Sequence, residues 1–325
     1  MRAMLSEAPG GPESLKLLDL PSRPVGKGQV RIKTRAAGVN FPDTLIIADK
    51  YQFKPQRPFA PGHEIAGDIV ELGEGVQGYK VGDRAIGMIG HGGYADEAVV
   101  DQANLLPMPA NMSYEDGAAF TMTYGTSYYA LKQRGDLKKG ETLLVTGASG
   151  GVGLTAVELG ALMGAKVIAA VGSDAKMEIC RKYGATMFVN YATDKMRDKV
   201  KDLTGGAGAD VIYDAVGGDA FDESVRCIAW YGRLLVIGFA SGRIPSMPAN
   251  LALLKSCDLR GVFYGAWRGR EPAEARRNFD EMLAWYAAGK LKPHISMRFP
   301  LKDAAQAMNA LLSRQATGKV VMTMS

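Results

Sequence analysis

The segment Thr146–Gly153, with the sequence TGASGGVG, is the feature that most limits how this chain can fold. It lies between an apolar run at 142–146, which predicts a buried strand, and a segment at 151–163 that is typical of a helix. Glycines permit a tight turn, and the backbone amides that open a helix can bind a negatively charged group. This strand–loop–helix context predicts a dinucleotide-binding loop rather than a glycine-rich turn without a ligand. The candidate binding residues are Ala148, Ser149, Gly150, Gly151 and Val152.

The spacing within this loop departs from the strict GxGxxG pattern. It is closer to AxxGxxG, and Leu154 stands where the last glycine would fall. No Gly-Lys-Ser/Thr sequence follows, so the loop is not of the nucleoside-triphosphatase type.

Strands and helices alternate on both sides of the loop. Further strands are predicted at 166–171, 210–216 and 232–239, and a helix at 174–183. Continuous apolar strands between helices indicate a parallel sheet covered on both faces. Before about residue 115 the chain has short strands separated by turn residues, which favour a β barrel or sandwich. Helices at 273–288 and 304–313 and a closing strand at 319–323 follow.

The predicted fold class is therefore α/β, with a β-rich domain and a doubly wound, Rossmann-type parallel sheet. We assign residues 1–117 to the β-rich domain, completed by 262–325, and residues 118–261 to the doubly wound domain. The chain of 325 residues has 47% hydrophobic and 22% charged residues, which is typical of a globular protein. The length is sufficient for a core in each domain.

Charge and cysteine content argue against several other classes. The net charge of +5 is spread along the chain, so nucleic-acid binding and membrane-surface binding are not expected. Cys180, Cys227 and Cys257 are too few and too far apart for a disulfide framework or a zinc cluster, which favours a cytoplasmic location. The first residues lack the apolar segment of a secretory signal, and no apolar run is long enough to span a bilayer.

The end of the predicted second strand of the parallel sheet indicates which dinucleotide is preferred. An NAD-binding unit usually has an acid there for the ribose hydroxyl. Here Gly172 leaves room for a 2′-phosphate, Ser173 can donate a hydrogen bond and Lys176 adds positive charge. Tyr191 is placed to cover the adenine or contact the phosphate. These residues favour NADPH, whereas Asp174 would oppose it if its side chain pointed inward.

Four further motifs give the chain a family resemblance: Ala37–Asp43 (AGVNFPD), Pro61–Val70 (PGHEIAGDIV), Thr121–Leu131 (TMTYGTSYYAL) and Thr317–Val321 (TGKVV). In this order, with the glycine loop, they resemble the medium-chain dehydrogenase/reductase superfamily, and its zinc-free, zeta-crystallin-like NADPH:quinone oxidoreductase branch in particular. The likeness covers nearly the whole chain. It implies a GroES-like catalytic domain, a Rossmann domain and a coenzyme in the cleft between them.

Zinc-dependent members of the superfamily use a Cys in the segment matching 38–41, a His-Glu pair and a Cys near position 121. In this sequence Asn40 replaces the first Cys, and Thr121 and its neighbours include no Cys. His63 and Glu64 remain, but one His without a thiolate partner cannot make a closed tetrahedral site. We therefore expect no metal, and we interpret His63 as a turn or packing residue.

Without a Lewis acid, NADPH chemistry suits substrates that are already electrophilic, such as quinones or alkenes conjugated to a carbonyl. The resemblance implies that Tyr51 donates a proton, and that Asn40 holds the nicotinamide ribose or the substrate carbonyl. Asp43 is expected to orient its loop. By motif position the resemblance also assigns coenzyme contacts to Thr126, Phe239, Ser241, Phe263, Tyr264 and Lys319.

Two other functions stay open at this point. One is an enoyl-thioester reductase, which would need a basic rim such as Lys54, Arg57 and Arg268. The other is a non-catalytic NADPH-binding protein, like a lens crystallin or an RNA-binding relative. The segment Leu259–Tyr264 resembles the edge strand through which family members dimerise, so we expect a homodimer acting on a small molecule, without a membrane or nucleic-acid partner.

Overall fold

The structure is a computed structural model that describes residues 1–324 and forms two compact units. Unit 1 comprises Met1–Met122 together with the described chain from Leu283 onwards, and unit 2 comprises Thr123–Met282. The predicted domain limits, after residues 117 and 261, stay a prediction. They differ from the unit limits mainly at 262–282, a segment that belongs to unit 2 because side chains such as Tyr264 and Glu281 contact residues of that unit.

Fifteen strands occur in the described chain. In chain order they are β1 (Arg2–Leu5), β2 (Lys16–Asp19), β3 (Gln29–Val39), β4 (Glu64–Leu72), β5 (Arg84–Met88), β6 (Glu97–Asp101), β7 (Leu105–Pro107), β8 (Thr142–Thr146), β9 (Lys166–Val171), β10 (Met187–Asn190), β11 (Ala209–Asp214), β12 (Ile228–Val236), β13 (Asp258–Gly261), β14 (Ile295–Pro300) and β15 (Lys319–Thr323).

Eleven α-helices occur in the same residues. They are α1 (Phe41–Ile47), α2 (Tyr114–Ala118), α3 (Thr121–Tyr129), α4 (Gly151–Leu162), α5 (Met177–Lys182), α6 (Met196–Leu203), α7 (Gly218–Arg226), α8 (Ala249–Lys255), α9 (Tyr264–Arg270), α10 (Pro272–Ala287) and α11 (Ala304–Leu312). A π-helical turn at Ala130–Arg134 continues α3. No helix in residues 1–324 is both long and apolar enough to cross a membrane.

Unit 1 is built on a seven-stranded sheet in the order β14-β15-β3-β4-β5-β7, with β6 also paired to β3. All neighbours are antiparallel except β14 and β15. The 11-residue β3 pairs with β4 and, at successive positions, with β6 and with β15. Its apolar side chains at Val30, Ile32 and Val39 are buried in the unit 1 core. The register of β3 with β15 sets Val39 opposite Val320, so the chain following β3 lies beside the start of β15.

Unit 2 is a six-stranded parallel sheet in the order β10-β9-β8-β11-β12-β13. The chain runs outward from β8 to β10 and then outward on the other side from β11 to β13. Neighbours β8 and β11 therefore flank the point where the strand order reverses, and ligands of such sheets bind beyond the carboxyl ends of the strands there. The prediction of a doubly wound parallel sheet accompanied by a β-rich region is confirmed.

Candidate active site

The loop between β8 and α4 has the backbone geometry of a tight turn. Gly147 has φ +61°, in the left-handed region that favours glycine, and Gly150 precedes the first residue of α4. The Gly150 amide donates to the Gly147 carbonyl over 2.9 Å. A Cβ on Gly153 would lie 2.1 Å from the Gly147 carbonyl oxygen, so this position accepts only glycine without movement of the backbone. Helix α4 therefore starts in direct contact with the loop.

The ends of β8 and β11 are joined by a buried polar contact. Thr146 Oγ1 donates to Asp214 Oδ1 over 2.5 Å, and the Gly217 amide donates to Asp214 Oδ2 over 3.1 Å. Burial raises the pKa of Asp214, against the effect of these hydrogen bonds. The contact ties the glycine loop to the loop that follows β11, at the point where the strand order reverses.

The loops after β11 and β12 are also bonded to each other. The Ser241 amide donates to the Val216 carbonyl over 2.9 Å, and the Gly218 amide donates to the Arg243 carbonyl over 3.1 Å. Phe239 lies against Gly217, whose added Cβ would be 3.1 Å from the Phe239 ring. Both Phe239 and Ser241 therefore lie at the carboxyl edge of the sheet, the edge that also carries the glycine loop.

The end of β9 carries the residues that favour NADPH in the sequence. Gly172 lies against Tyr191, and a Cβ added to Gly172 would be 3.3 Å from the Tyr191 ring. Ser173 and Lys176 are half-buried beside it. The Asp174 side chain accepts a hydrogen bond from Asn190 Nδ2 over 2.8 Å, so its carboxylate is bound by a neighbouring side chain of unit 2.

The remaining predicted contacts of unit 2 lie on and near α3. Thr126 is half-buried in that helix. Tyr264 is buried, and its hydroxyl packs so closely on Gly125 that a Cβ added there would lie only 2.4 Å from it. Its neighbour Phe263 is 56% exposed. Trp267 stacks on Tyr129 with 4.2 Å between ring centroids, which fixes the aromatic cluster around Tyr264.

In unit 1 the predicted residues Asn40 and Lys319 meet at Glu64. Glu64 is fully buried, and its Oε1 accepts from Asn40 Nδ2 over 2.9 Å and from Lys319 Nζ over 2.6 Å. Its Oε2 accepts from Thr121 Oγ1 and from the Met122 amide, each over 2.8 Å. Thus Asn40, Thr121 and Lys319 all contact the Glu64 carboxylate.

A second buried cluster surrounds Asp43, in the first turn of α1. Its carboxylate accepts hydrogen bonds from the backbone N–H of Asn40 over 2.8 Å and from the Tyr94 hydroxyl over 2.9 Å. His63 Nδ1 lies 2.5 Å from Asp43 Oδ1. Asp43 therefore fixes the start of α1, and His63 contacts this carboxylate.

Tyr51 lies in the loop after α1 and packs against the unit 1 core while remaining partly exposed. Burial, and to a smaller extent the charge of Asp43, raises the pKa of the Tyr51 phenol. The phenol is therefore protonated at neutral pH and can donate a hydrogen bond. Its role as a proton donor stays a prediction.

Sequence reasoning did not assign a role to Glu64 or Thr121 as parts of this network. The sequence did contain an indication of the network: Glu64 is an acid at the first position of an apolar strand, and a carboxylate buried there needs hydrogen-bond or ionic partners. No group of three or more His, Cys, Asp or Glu side chains suited to a metal ion occurs in the described chain, 1–324.

Two family models match the chain in the order of the units. One, for the alcohol dehydrogenase GroES-like domain, covers residues 26–110, and the other, for zinc-binding dehydrogenase, covers residues 151–288. The first lies within the predicted GroES-like domain, whereas the second begins in the predicted Rossmann domain and extends beyond its predicted end at residue 261.

Several quinone oxidoreductases are similar to this protein along nearly its whole chain. A quinone oxidoreductase-like protein 2 homolog of Nematostella vectensis is 44% identical over 92% of this chain and 82% of its own length. The quinone oxidoreductase of Pseudomonas aeruginosa is 33% identical over 96% of each chain. The crystal structure of Escherichia coli quinone oxidoreductase complexed with NADPH superposes with a TM-score of 0.92, at 28% identity, over 99% of this chain and 100% of that one.

These matches extend over both units. The chain belongs to the quinone oxidoreductase branch of the medium-chain dehydrogenase/reductase superfamily.

Proposed function

We propose that this protein is an NADPH-dependent reductase of quinones or α,β-unsaturated carbonyl compounds. The observation that carries the proposal is the glycine loop at the β8–β11 reversal, where Gly153 contacts the Gly147 carbonyl too closely for any side chain. Amides at the start of the 12-residue α4 are suited to a pyrophosphate. A relative of the same fold was crystallised with NADPH, which supports the same coenzyme here.

The residues at the end of β9 fit the extra phosphate of NADPH. Gly172 presents no side chain, and Ser173 and Lys176 would hold the phosphate with a hydroxyl and a positive charge. Tyr191 would cover the adenine or contact the phosphate. The Asp174 carboxylate would repel this phosphate, and its hydrogen bond to Asn190 draws it toward the Asn190 side-chain amide.

The donor set around Glu64 does not fit a zinc ion. Zinc sites of this superfamily use thiolate and imidazole ligands, whereas Asn40 and Thr121 offer an amide and a hydroxyl. In addition, the Lys319 ammonium is 2.6 Å from the Glu64 carboxylate and would repel a cation there. We infer that the substrate must be electrophilic without help from a metal, as quinones and conjugated enones are.

Bound NADPH would supply a hydride to the quinone ring or to the β-carbon of an enone. The protein would then stabilise the negative charge that develops on the substrate oxygen. We assign a hydrogen-bond donor role to Asn40 and a proton-donor role to Tyr51, whose raised pKa keeps the phenol protonated. Thr126, Phe239, Ser241, Phe263 and Tyr264 are proposed to contact the coenzyme.

Stopped-flow measurement of NADPH oxidation tests the proposal with three substrate classes: quinones, short enones and short enoyl thioesters. We expect turnover with the first two. Turnover confined to enoyl thioesters would replace the proposal with the thioester-reductase function, although Arg57 is unsuited to a basic rim because Asp49 and the Ile47 carbonyl bind its guanidinium at 2.8 and 2.9 Å. NADPH binding without any turnover would indicate a non-catalytic binding protein.

A further inference from the structure

The hydrogen bonds of the buried Glu64 carboxylate can be counted completely. A carboxylate offers about four acceptor positions. Glu64 fills them with Asn40 Nδ2 and Lys319 Nζ on Oε1, and with Thr121 Oγ1 and the Met122 amide on Oε2. Glu64 therefore has no acceptor position left for a ligand.

The Lys319 ammonium is also fully bonded. The residue is 4% exposed, and an ammonium has three N–H donors. Its Nζ lies 2.7 Å from Asn40 Oδ1, 2.6 Å from Glu64 Oε1 and 3.4 Å from the Val39 carbonyl oxygen. Lys319 can therefore contact a bound ligand only by giving up one of these bonds.

Asn40 differs from both, because its amide nitrogen has two hydrogens. One is donated to Glu64 Oε1, and no other partner for Nδ2 is found among residues 1–324. The orientation of the amide is fixed by charge, since its oxygen faces the Lys319 ammonium and its nitrogen faces the Glu64 carboxylate. Rotating the amide by half a turn would replace both attractive contacts with repulsive ones.

We propose that Glu64 and Lys319 are positioning residues that lock the Asn40 amide, so that its second N–H donates to an oxygen of the bound ligand. The inference rests on the proposed function and deepens it. The acceptor is a carbonyl or hydroxyl oxygen, which belongs either to the substrate or to the coenzyme. A neutral amide held between two opposite charges keeps its direction without a metal or a mobile side chain, and it can stabilise negative charge on such an oxygen.

A double-mutant cycle between Lys319→Met and Asn40→Ala tests this role. Lys319→Met unlocks the amide and is expected to lower kcat/KM about 10- to 100-fold, the range for a lost hydrogen bond to a charged group. In the Asn40→Ala background the same change is expected to cost less than about 3-fold, because its effect passes through the amide. Equal losses in the two backgrounds would overturn the proposal.

Lys319→Met also leaves the Glu64 charge buried, so the fold is checked with a second variant. The double variant Glu64→Gln/Lys319→Met removes both charges and is expected to melt closer to the wild type than Lys319→Met does, while kcat/KM stays low. Recovery of wild-type kcat/KM in that variant would show that the ion pair is only structural and would contradict the proposed positioning.

Two further readouts separate the sources of the oxygen and the possible failures. If the Kd of NADPH, measured by fluorescence titration, rises in Asn40→Ala and Lys319→Met, the oxygen belongs to the coenzyme. If the Kd is unchanged in these variants while kcat/KM for the quinone falls, the oxygen belongs to the substrate. The Asn40 side-chain amide signals in an NMR spectrum, identified by their loss in Asn40→Ala, should be sharp in the wild type and broadened in Lys319→Met. Identical line widths would refute the lock even in an active enzyme, whereas a wild type that neither binds nor oxidises NADPH would refute the proposed function and the ligand role together.

Discussion

The Lys319 ammonium lies 2.6 Å from Oε1 of Glu64, although 255 positions separate the two residues in the chain. The pairing of β3 with both β15 and β4 brings them together, since Val39 is opposite Val320 and Ala37 is opposite Ile65. A buried ion pair is destabilising unless its remaining donors and acceptors are bonded. The remaining donors and acceptors of Glu64 and Lys319 are all hydrogen-bonded. The strand register therefore places a fixed charge pair beside Asn40.

Gly153→Ala is expected to weaken coenzyme binding and the fold together. Its Cβ would lie 2.1 Å from the Gly147 carbonyl oxygen, so either the loop or the start of α4 must move. We expect a loss of about 1–3 kcal/mol in the free energy of unfolding and at least about a 10-fold rise in the Kd of NADPH. Chemical denaturation and fluorescence titration measure the two effects.

The matched control for this glycine is Gly265→Ala, in α9, where an added Cβ meets nothing within 4 Å. That variant should melt at or slightly above the wild-type temperature, because alanine favours helix. If Gly153→Ala behaves like the control in both measurements, close packing at the loop is not needed for coenzyme binding.

Lys176→Ala and Asp174→Asn are expected to change coenzyme preference in opposite directions. Removing the lysine charge should raise the Kd of NADPH about 10-fold and leave the Kd of NADH nearly unchanged, since only NADPH carries the 2′-phosphate. Removing the Asp174 carboxylate should strengthen NADPH binding by roughly 2- to 5-fold, an effect that salt reduces because the residue is exposed. Parallel changes for both coenzymes would contradict the assignment of the phosphate to this position.

Tyr51→Phe is expected to lower kcat about 10²-fold with little change in the Kd of NADPH, because it removes a proton donor and keeps the ring. Burial raises the pKa of this phenol above its ordinary value, so the donor stays protonated across the neutral range. The wild-type rate should therefore show no loss from Tyr51 ionisation between pH ~7 and ~9. Full activity of Tyr51→Phe would assign the tyrosine to packing of its loop.

Leu259→Lys is expected to convert a homodimer to monomers. Its strand β13 pairs only with β12 among the described strands, and Leu259 is 48% exposed at this sheet edge. An exposed apolar edge strand favours pairing with a second copy, and a charge there opposes it. Light scattering at micromolar concentration should show a dimer for the wild type and a monomer for the variant. A monomeric wild type would contradict the prediction.

Local sequence patterns were sufficient for the elements that present the coenzyme loop. The strands predicted at 142–146, 166–171 and 319–323 match β8, β9 and β15, and the helix after the glycine loop ends within one residue of its predicted end. These elements are short apolar runs bounded by glycine or charge, so neighbouring residues carry the signal. The start of β12 was predicted less accurately. This strand begins at Ile228, four residues before the predicted start, because Tyr231 takes a positive φ of 60° and the strand continues through a bulge.

The fold class, the family and the loop that we propose holds NADPH could all be predicted before the structure was known, because each is indicated by motifs whose own residues are close together in the chain. The contacts that hold Asn40 could not be predicted in this way. Its partners Glu64 and Lys319 come from two strands that are far apart in the chain. The residues around an acid or a lysine at the start of a strand do not indicate which side chain it will contact. Whether the two charges meet depends on pairing register, which the fold as a whole sets and a single segment cannot.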